Sequence, residues 1–180
     1  ANKECEVLAI SRKSPHLNAQ FNISWLEADL NDDESYRSEI ELFNPEVVIH
    51  LAWQGIPDFS FENSFNNLNQ SLKFFSFIVG LESCKKILVS GSCWEYNKIK
   101  GECLETDIVT SKDHFTWAKT SMRLWLEMAT KQKGIVFCWF RIFYVYGPGQ
   151  RSKALIPSIL NDLKLGKLPN IKTPKSKYAD

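Results

Sequence analysis

The feature of this sequence that most constrains its fold is the alternation of short apolar runs with longer amphipathic segments. The clearest run, "EVVIHLA" (Glu46–Ala52), is almost continuously apolar, as expected of a strand covered on both faces of a sheet. The segment from Phe61 to Ser83 carries apolar side chains at helical spacing. Strands that alternate with helices indicate βαβ units with right-handed crossovers. The sequence therefore predicts an α/β fold with a doubly wound parallel sheet.

The other predicted elements continue this alternation. Further strands are expected at Cys5–Ser11, Ile23–Leu30, Lys85–Ser92 and Gly134–Phe143, and further helices at Asp32–Phe43, Ser111–Lys133 and Lys153–Gly166. Asp32 or Asp33 is expected to cap the first helix. Gly166 is expected to end the last one.

Length and composition exclude several classes of protein. The chain has 180 residues, enough for one domain, and its formal net charge of +1 gives no reason to expect binding to nucleic acid or to a membrane surface. Its apolar runs are too short to cross a bilayer. The 5 cysteines are scattered, which predicts free, mostly buried thiols in a reducing cytoplasm. The 3 histidines lie far apart, so no metal site is expected.

Polar and aromatic residues that could bind a ligand follow several of the predicted strands, at the edge where open α/β sheets bind ligands. They are "SRK" after the first strand, "HLAW" (His50–Trp53) and "SGSCWEY" (Ser90–Tyr96). A helix with Phe115 and Lys119 on one face comes next, and "RIFYVYGPGQR" (Arg141–Arg151) follows another strand. We therefore expect a ligand site at this edge.

These stretches together resemble the extended short-chain dehydrogenase/reductase family, also called the NAD-dependent epimerase/dehydratase family. Four pieces match in order: "ADL" (Ala28–Leu30), "PEVVIHLAW", "SGSCWEY" and "RIFYVYGPGQR". The resemblance implies a Rossmann-like, NAD(P)-binding domain over residues 1–150, the start of a substrate-binding lobe over residues 151–180, and a nucleotide-sugar substrate.

The segments "GSCWEY" and "FRIFYVYGPGQ" resemble those of one subgroup, the nucleotide-sugar 4-reductases and epimerases such as CDP-abequose-synthase-like proteins. This subgroup implies a role in O-antigen or polysaccharide biosynthesis. Related dehydratases place an Asp-Glu pair after the catalytic hydroxyl, where this chain has Cys93 and Trp94. Neither residue is a carboxylic acid, so dehydration is not expected.

The resemblance also implies roles for individual residues. The Ser92 hydroxyl would polarise the substrate oxygen. Lys119 would lower the pKa of a catalytic tyrosine and hydrogen-bond the nicotinamide ribose. The implied cofactor contacts are Arg12, Asp29, Leu30, Leu51, Ala52, Trp53, Asn67, Ser90, Lys119 and Tyr144, and the implied substrate contacts are Cys93, Trp94, Tyr144 and Arg151.

Phe115 departs from the family pattern because it occupies the position of the catalytic tyrosine. A phenyl ring cannot exchange a proton, and a general acid or base contributes about 10²–10⁴-fold in rate. The change is engineered, or the chain is a natural inactive homologue, or another group such as His114 or Tyr96 substitutes. Helix geometry turns His114 about 100° away from position 115, which disfavours the third explanation.

The glycine distribution is a second departure. No glycine precedes Gly55, so the sequence lacks the family's Gly-x-x-Gly-x-x-Gly turn that cradles the cofactor pyrophosphate. In the family fold, the strand before that turn lies between the strands predicted at Cys5–Ser11 and Glu46–Ala52. We therefore expect a fold that is incomplete at its N-terminus, with these two strands facing a gap. We expect the sequence to be a fragment that also lacks most of the C-terminal lobe.

The sequence allows two interpretations at several positions. Arg12 at a strand end without an acid favours NADP over NAD, but it is also compatible with a solvated turn. Asp29 is either an adenine contact or a turn residue, and Asn67 is either a cofactor neighbour or part of a solvated helix face. Trp94 and Glu95 either line the sugar site or are buried beside the sheet.

Two further expectations concern the core and the surface. His50 is more typical of a core histidine than of a catalyst, and Phe74, Phe75 and Phe77 are expected to pack in the core. The helices around Phe65–Leu81 and Lys112–Lys133 are apolar enough for a homodimer interface, which is common in the family.

Overall fold

The computed structural model describes residues 5–13, 23–96 and 101–169. The last part of the predicted substrate lobe, residues 170–180, lies outside this range. The described residues form strands β1 (Val7–Ser11), β2 (Ile23–Glu27), β3 (Val47–His50), β4 (Lys86–Ser92) and β5 (Val136–Ile142), and helices α1 (Arg37–Phe43), α2 (Phe61–Ile78), α3 (His114–Lys133) and α4 (Leu155–Lys164).

The strands form two parallel sheets instead of the single sheet that the sequence predicts. β1 pairs with β2, and β4 pairs with β3 on one side and with β5 on the other. Within the described residues, β1 and β3 are not hydrogen-bonded to each other. These are the two strands expected to face a gap. The parallel pairing and the flanking helices confirm the predicted α/β class.

The first predicted helix begins later than expected. Asp33–Ser35 form a short 3₁₀ helix, and α1 starts only at Arg37. The predicted capping bond from Asp32 or Asp33 is wrong: the Asp32 side chain makes no capping hydrogen bond, and Asp33 pairs with Arg37 at 2.9 Å. The Asp33 carboxylate is therefore engaged by a side chain one turn further along.

Helices α2 and α3 cover one face of the three-stranded sheet. Val48 and His50 of β3 and Ile87 and Val89 of β4 all point to this face and are buried. α2 contributes Phe74, Phe75 and Phe77, so their predicted role in the core is confirmed. A continuous hydrophobic core thus supports the carboxyl ends of β3 and β4.

His50 is confirmed as a core residue. Only 4% of it is exposed, and its ring centroid lies 4.8 Å from that of Phe75 and 5.7 Å from that of Phe74. Burial, reinforced by the positive charge of Lys119, lowers the pKa of His50 to about 3. The imidazole is therefore neutral at physiological pH.

The caps of α3 fix where the helix begins and ends, and so where Phe115 and Lys119 lie on it. The Asp113 side chain accepts the Thr116 N–H at 2.7 Å, and the Thr116 hydroxyl oxygen accepts the Asp113 N–H at 3.3 Å, which forms a reciprocal capping box. The helix ends at Gly134, whose φ of 67° is a left-handed conformation that glycine adopts without strain. The cap therefore starts the helix one residue before Phe115.

All 5 cysteines are free, but only Cys84 is buried, so the prediction of mostly buried thiols is wrong. No described helix has the length and apolar character needed to span a membrane. Among the described residues, no three His, Cys, Asp or Glu side chains form a group that could hold a metal ion.

Candidate active site

The buried face of α3 brings Phe115 and Lys119 together, one helical turn apart. Phe115 is 6% exposed and Lys119 is 3% exposed, and both lie on the same side of the helix as Met122 and Leu126. Side chains at positions i and i+4 of a helix are neighbours. The structure therefore places Lys119 within reach of the ring at position 115, as the sequence predicts.

Lys119 carries its ammonium group into the carboxyl end of the sheet. Its Nζ donates a hydrogen bond to the Ser90 carbonyl at 2.8 Å and lies 4.2 Å from the centroid of the Trp53 ring. Burial lowers the pKa of Lys119 to about 8, partly offset by the negative charge of Glu95. An ammonium group has three N–H donors, and only this one hydrogen bond is found among the described residues. Two donors are therefore available to a ligand.

Phe115 is packed in a cluster of aromatic rings. Its centroid lies 5.2 Å from that of Trp53, 5.0 Å from that of Phe59 and 6.3 Å from that of Trp94. Phe59 and Trp94 also touch each other, at 5.1 Å. Edge-to-face contacts of this kind each contribute about 0.5–1.5 kcal/mol beyond area burial. The ring at position 115 is thus held in one orientation beside Lys119.

Ser92 ends β4 and lies two residues beyond the carbonyl that binds Lys119. The Ser92 hydroxyl oxygen accepts the backbone N–H of Trp94 at 3.2 Å. A hydroxyl has one donor and two acceptor sites, so its hydrogen remains available for a further acceptor. The Ser92 N–H is itself bonded to the Glu95 carboxylate at 2.7 Å.

His114 and Tyr96, the two suggested substitutes for a tyrosine, have other neighbours. His114 is exposed and packs edge-on against Phe61, with ring centroids 5.4 Å apart. Tyr96 is buried against Phe143 at 6.0 Å, with the Arg141 guanidinium 4.7 Å from its ring centroid. Neither ring is part of the aromatic cluster around Phe115.

Asn67 binds the backbone of the loop that follows β3. Its Oδ1 accepts the Gln54 N–H at 2.7 Å, and its Nδ2 donates to the Gln54 carbonyl at 3.2 Å. Gln54 also accepts a hydrogen bond from Arg12 at 3.4 Å through its side chain. Asn67 is 4% exposed, so it is not part of a solvated helix face. Through this network, the ends of β1 and β3 are connected despite belonging to different sheets.

Asp29 and Leu30 lie at the turn after β2. Asp29 Oδ1 accepts the backbone N–H of Asn31 at 2.9 Å, which is the turn role that the sequence allows. Leu30 lines a cavity of about 190 Å³ whose other walls are mostly polar side chains of α2, including Gln70 and Lys73. Leu30 therefore lies at the wall of this cavity, whereas Asp29 stabilises the turn next to it.

The remaining predicted residues are more exposed. Leu51 and Ala52 follow β3, and Leu51 is 69% exposed. Tyr144 follows β5, and its hydroxyl accepts a hydrogen bond from the Trp94 indole at 3.4 Å. Cys93 and Trp94 are half-buried, whereas Arg151 is exposed in the segment before α4. The structure thus brings Tyr144 to the aromatic cluster but shows no such contact for Arg151.

Phe59 was not predicted from the sequence as part of the site, whereas for Glu95 the sequence left two interpretations open. Phe59 lies in an irregular loop, where no periodicity indicates which side chain is buried. Glu95 is not exposed at all, so the interpretation as a residue buried beside the sheet is confirmed and the one as a lining of the sugar site is wrong. It is bound to Trp139 of β5, a contact that depends on the register between β4 and β5.

Comparison with known proteins supports the same family. The sequence model described as the NAD dependent epimerase/dehydratase family matches residues 1–178. A search of the curated proteins found no match.

Several solved structures share the fold. UDP-glucose 4-epimerase from Thermotoga maritima, with UDP-glucose, has a TM-score of 0.75 at 22% identity, and the match covers 90% of this chain and 56% of that one. UDP-N-acetylglucosamine 4-epimerase from Methanobrevibacter ruminantium M1, in complex with UDP-N-acetylmuramic acid, has a TM-score of 0.73 at 22% identity over the same shares. The chain thus spans little more than half the length of these proteins.

A third similar structure is a tyrosine-to-phenylalanine variant. It is UDP-glucuronic acid 4-epimerase from Bacillus cereus, in complex with UDP-4-deoxy-4-fluoro-glucuronic acid and NAD. Its TM-score is 0.69 at 20% identity, and the match covers 83% of this chain and 48% of that one. Together, these structures confirm the Rossmann-like fold.

Proposed function

Because the chain belongs to the NAD-dependent epimerase/dehydratase family, we propose that the protein is an NAD(P)-dependent nucleotide-sugar oxidoreductase or epimerase acting at C4 of the sugar. The observation that carries this proposal is the buried ammonium group of Lys119, bonded to the Ser90 carbonyl at 2.8 Å. Lysines on structural helices normally keep their charge in water, and burying the charge is costly. A functional demand for a cation beside position 115 explains why this one is buried.

The residues around Lys119 fit the ribose end of a nicotinamide cofactor. Besides the two available Lys119 donors, the buried Trp53 Nε1 has no hydrogen-bond partner among the described residues. Ribose hydroxyls would supply acceptors for such donors. Bound NAD(P) supplies a hydride acceptor or donor. The Ser92 hydroxyl, with its hydrogen available, would bond the C4 oxygen of the sugar and favour the charge that develops there.

The alternative function is a homologue that binds NAD(P) and a nucleotide sugar without turning them over. Phe115 is the observation that favours it, since neither Phe115 nor the three rings packed against it, Trp53, Phe59 and Trp94, carries a phenol hydroxyl. The Bacillus cereus variant is a relative in which a tyrosine-to-phenylalanine exchange is compatible with holding both kinds of ligand.

The reactions can be separated by assaying the complete natural polypeptide with the reduced cofactors NADPH or NADH for reduction, with the oxidised cofactors NADP+ or NAD+ for epimerisation, and with a panel of nucleotide sugars. Reduction predicts stoichiometric oxidation of the cofactor when 4-keto sugars are supplied. Epimerisation predicts interconversion of C4 epimers without net consumption of cofactor. The inactive alternative predicts saturable binding of cofactor and sugar with neither reaction. Absence of binding by every cofactor and sugar nucleotide would contradict both functions.

We propose NADP as the preferred cofactor because Arg12 is exposed at the end of β1, where its one hydrogen bond among the described residues is the 3.4 Å bond to Gln54. Replacing Arg12 with alanine should weaken NADPH binding about 10–100-fold and leave NADH binding nearly unchanged, since one charged hydrogen bond contributes about 1.5–3 kcal/mol. Fluorescence titration of both cofactors measures this. Lys13→Ala is the matched control because Lys13 is the next exposed basic residue. Equal losses for the two cofactors would contradict the assignment of Arg12.

Three further proposals concern the substrate-binding lobe, the cellular location and the oligomeric state. Residues 151–180 would begin the substrate-binding lobe, and the protein would work in the cytoplasm. Two copies would pair through α2 and α3, where Phe65 is 41%, Leu124 is 49% and Met128 is 60% exposed. Light scattering of the complete polypeptide, compared with a Leu124→Glu variant, tests the pairing.

A further inference from the structure

Glu95 is a fully buried carboxylate that the proposed chemistry does not use. It has no exposed surface, yet it lies only three residues after Ser92. Its Oε1 accepts the Ser92 N–H at 2.7 Å, and both of its oxygens lie 3.1 Å from the Trp139 indole nitrogen. The Arg141 Nε lies 3.6 Å from Oε2. The carboxylate thus joins the end of β4 to two side chains of β5.

Gly91 is required for this arrangement. A Cβ atom at position 91 would lie 2.2 Å from the Trp139 indole nitrogen and 2.7 Å from Glu95 Oε1. Gly91 pairs with Arg141 in the sheet register, so residues 91, 139 and 141 share one face. The indole and the carboxylate therefore meet in the space that the missing side chain leaves open.

The contacts of Glu95 have a direct consequence for Ser92. The backbone N–H of Ser92 is bound by the carboxylate, while its hydroxyl oxygen accepts the Trp94 N–H at 3.2 Å. The Ser92 backbone is thus held by Glu95, and one of the two acceptor sites of the Ser92 hydroxyl is occupied by the Trp94 N–H. These two contacts restrict the directions in which the Ser92 O–H can point. A hydrogen bond to an ionised acceptor is about twice as strong as a neutral one, so this anchor is firm.

We infer that Glu95 is a positioning residue that holds the Ser92 segment, and through it the Ser92 hydroxyl, in the orientation needed to bond the substrate oxygen. This inference rests on the proposed function, because it gives Ser92 a catalytic task. Trp139 and Arg141 hold the carboxylate, and Gly91 makes room for it. A buried acid with a purely structural role would stabilise the fold without affecting the rate per folded molecule.

The charge of Glu95 also acts on Lys119. It raises the pKa of that lysine, against the larger effect of burial, which lowers it to about 8. Among the described residues, the charged or titratable groups around the pair include Arg141 on β5, Cys93 beside Ser92 with Lys112 near it, and the neutral His50 on β3. Loss of the Glu95 charge should therefore lower the pKa of Lys119 further, which moves the alkaline limb of a pH–rate profile to lower pH.

The test uses the Phe115→Tyr protein as the active parent and adds Glu95→Gln. Glutamine keeps the volume and one acceptor but removes the charge and places an N–H₂ group against the Trp139 donor. The expected result is a fall of at least about tenfold in kcat, a nearly unchanged KM for the nucleotide sugar, and the pH shift described above. Gly91→Ala should lower kcat in the same way while keeping the acid. Glu105→Gln, an exposed acid-to-amide change, is the matched control.

The outcomes separate the two proposals. If Glu95→Gln keeps the parental kcat and pH profile, or loses activity only in proportion to the folded fraction measured by thermal unfolding, the positioning role is overturned and the proposed function stands. If the Phe115→Tyr parent itself shows no turnover with any nucleotide sugar, the proposed catalytic function fails, and the role of Glu95 fails with it.

Discussion

Replacing Phe115 with tyrosine should raise C4 oxidoreductase or epimerase turnover by about 10²–10⁴-fold, the usual contribution of a general acid or base. The new hydroxyl would extend from a ring that lies one helical turn from Lys119 on the buried face of α3. The positive charge of Lys119 would stabilise the phenolate form and ease proton transfer. The measurement is kcat for the complete natural polypeptide and the variant, with cofactor and each candidate nucleotide sugar.

Phe59→Tyr is the matched control for that change. Phe59 lies in the same aromatic cluster, 5.0 Å from Phe115 between ring centroids, but in the loop before α2. A hydroxyl on this ring should give no gain in turnover. Equal gains from both variants would contradict a specific role for position 115. A Phe115→Tyr protein that folds and binds both ligands without turnover would identify the chain as a non-catalytic homologue.

In the Phe115→Tyr background, Ser92→Ala should lower kcat by about 10²–10³-fold, as removal of one preorganised donor to a developing oxyanion typically does. Cofactor affinity should be nearly unchanged, because the proposed role of Ser92 is toward the sugar. The measurement is kcat and KM together with a cofactor titration. Ser24→Ala, at an exposed position of β2, is the control. An unchanged kcat in the Ser92 variant would remove Ser92 from the mechanism.

The order of elements and the face shared by Phe115 and Lys119 were predictable because both depend on local periodicity. The apolar pattern of "EVVIHLA" and the helical spacing around Lys119 are properties of neighbouring residues. The sequence also predicted that β1 and β3 would not pair with each other, from the absence of an early glycine turn.

The surroundings of the site were not predictable in the same way. Phe59 is in a loop without periodicity. For Glu95, the sequence left open whether the side chain lines the sugar site or is buried, and burial depends on the register of β4 against β5, which brings Trp139 and Arg141 to it. The Asn67 contacts with Gln54 link positions 13 residues apart in sequence through side-chain geometry alone. Such contacts have no sequence period, so they emerge only from the packed structure.

Calorimetric titration with NADPH and NADH tests directly whether the Lys119 site holds a nicotinamide cofactor. The complete natural polypeptide should bind one of them saturably, and affinity should fall as the pH is raised through about 8, where Lys119 loses its proton. Lys119→Met should weaken binding about 10–100-fold, since a charged hydrogen-bond donor is lost. The fold should tolerate the change, because replacing a buried charge with an apolar group is often neutral or stabilising.

Lys131→Met is the control, because Lys131 is exposed on the same helix. Saturable binding by the wild-type protein that is weakened in the Lys119 variant alone is the predicted result. A wild-type protein that binds neither cofactor, or a Lys119→Met protein that binds as tightly as the wild type, would contradict a nicotinamide site at Lys119.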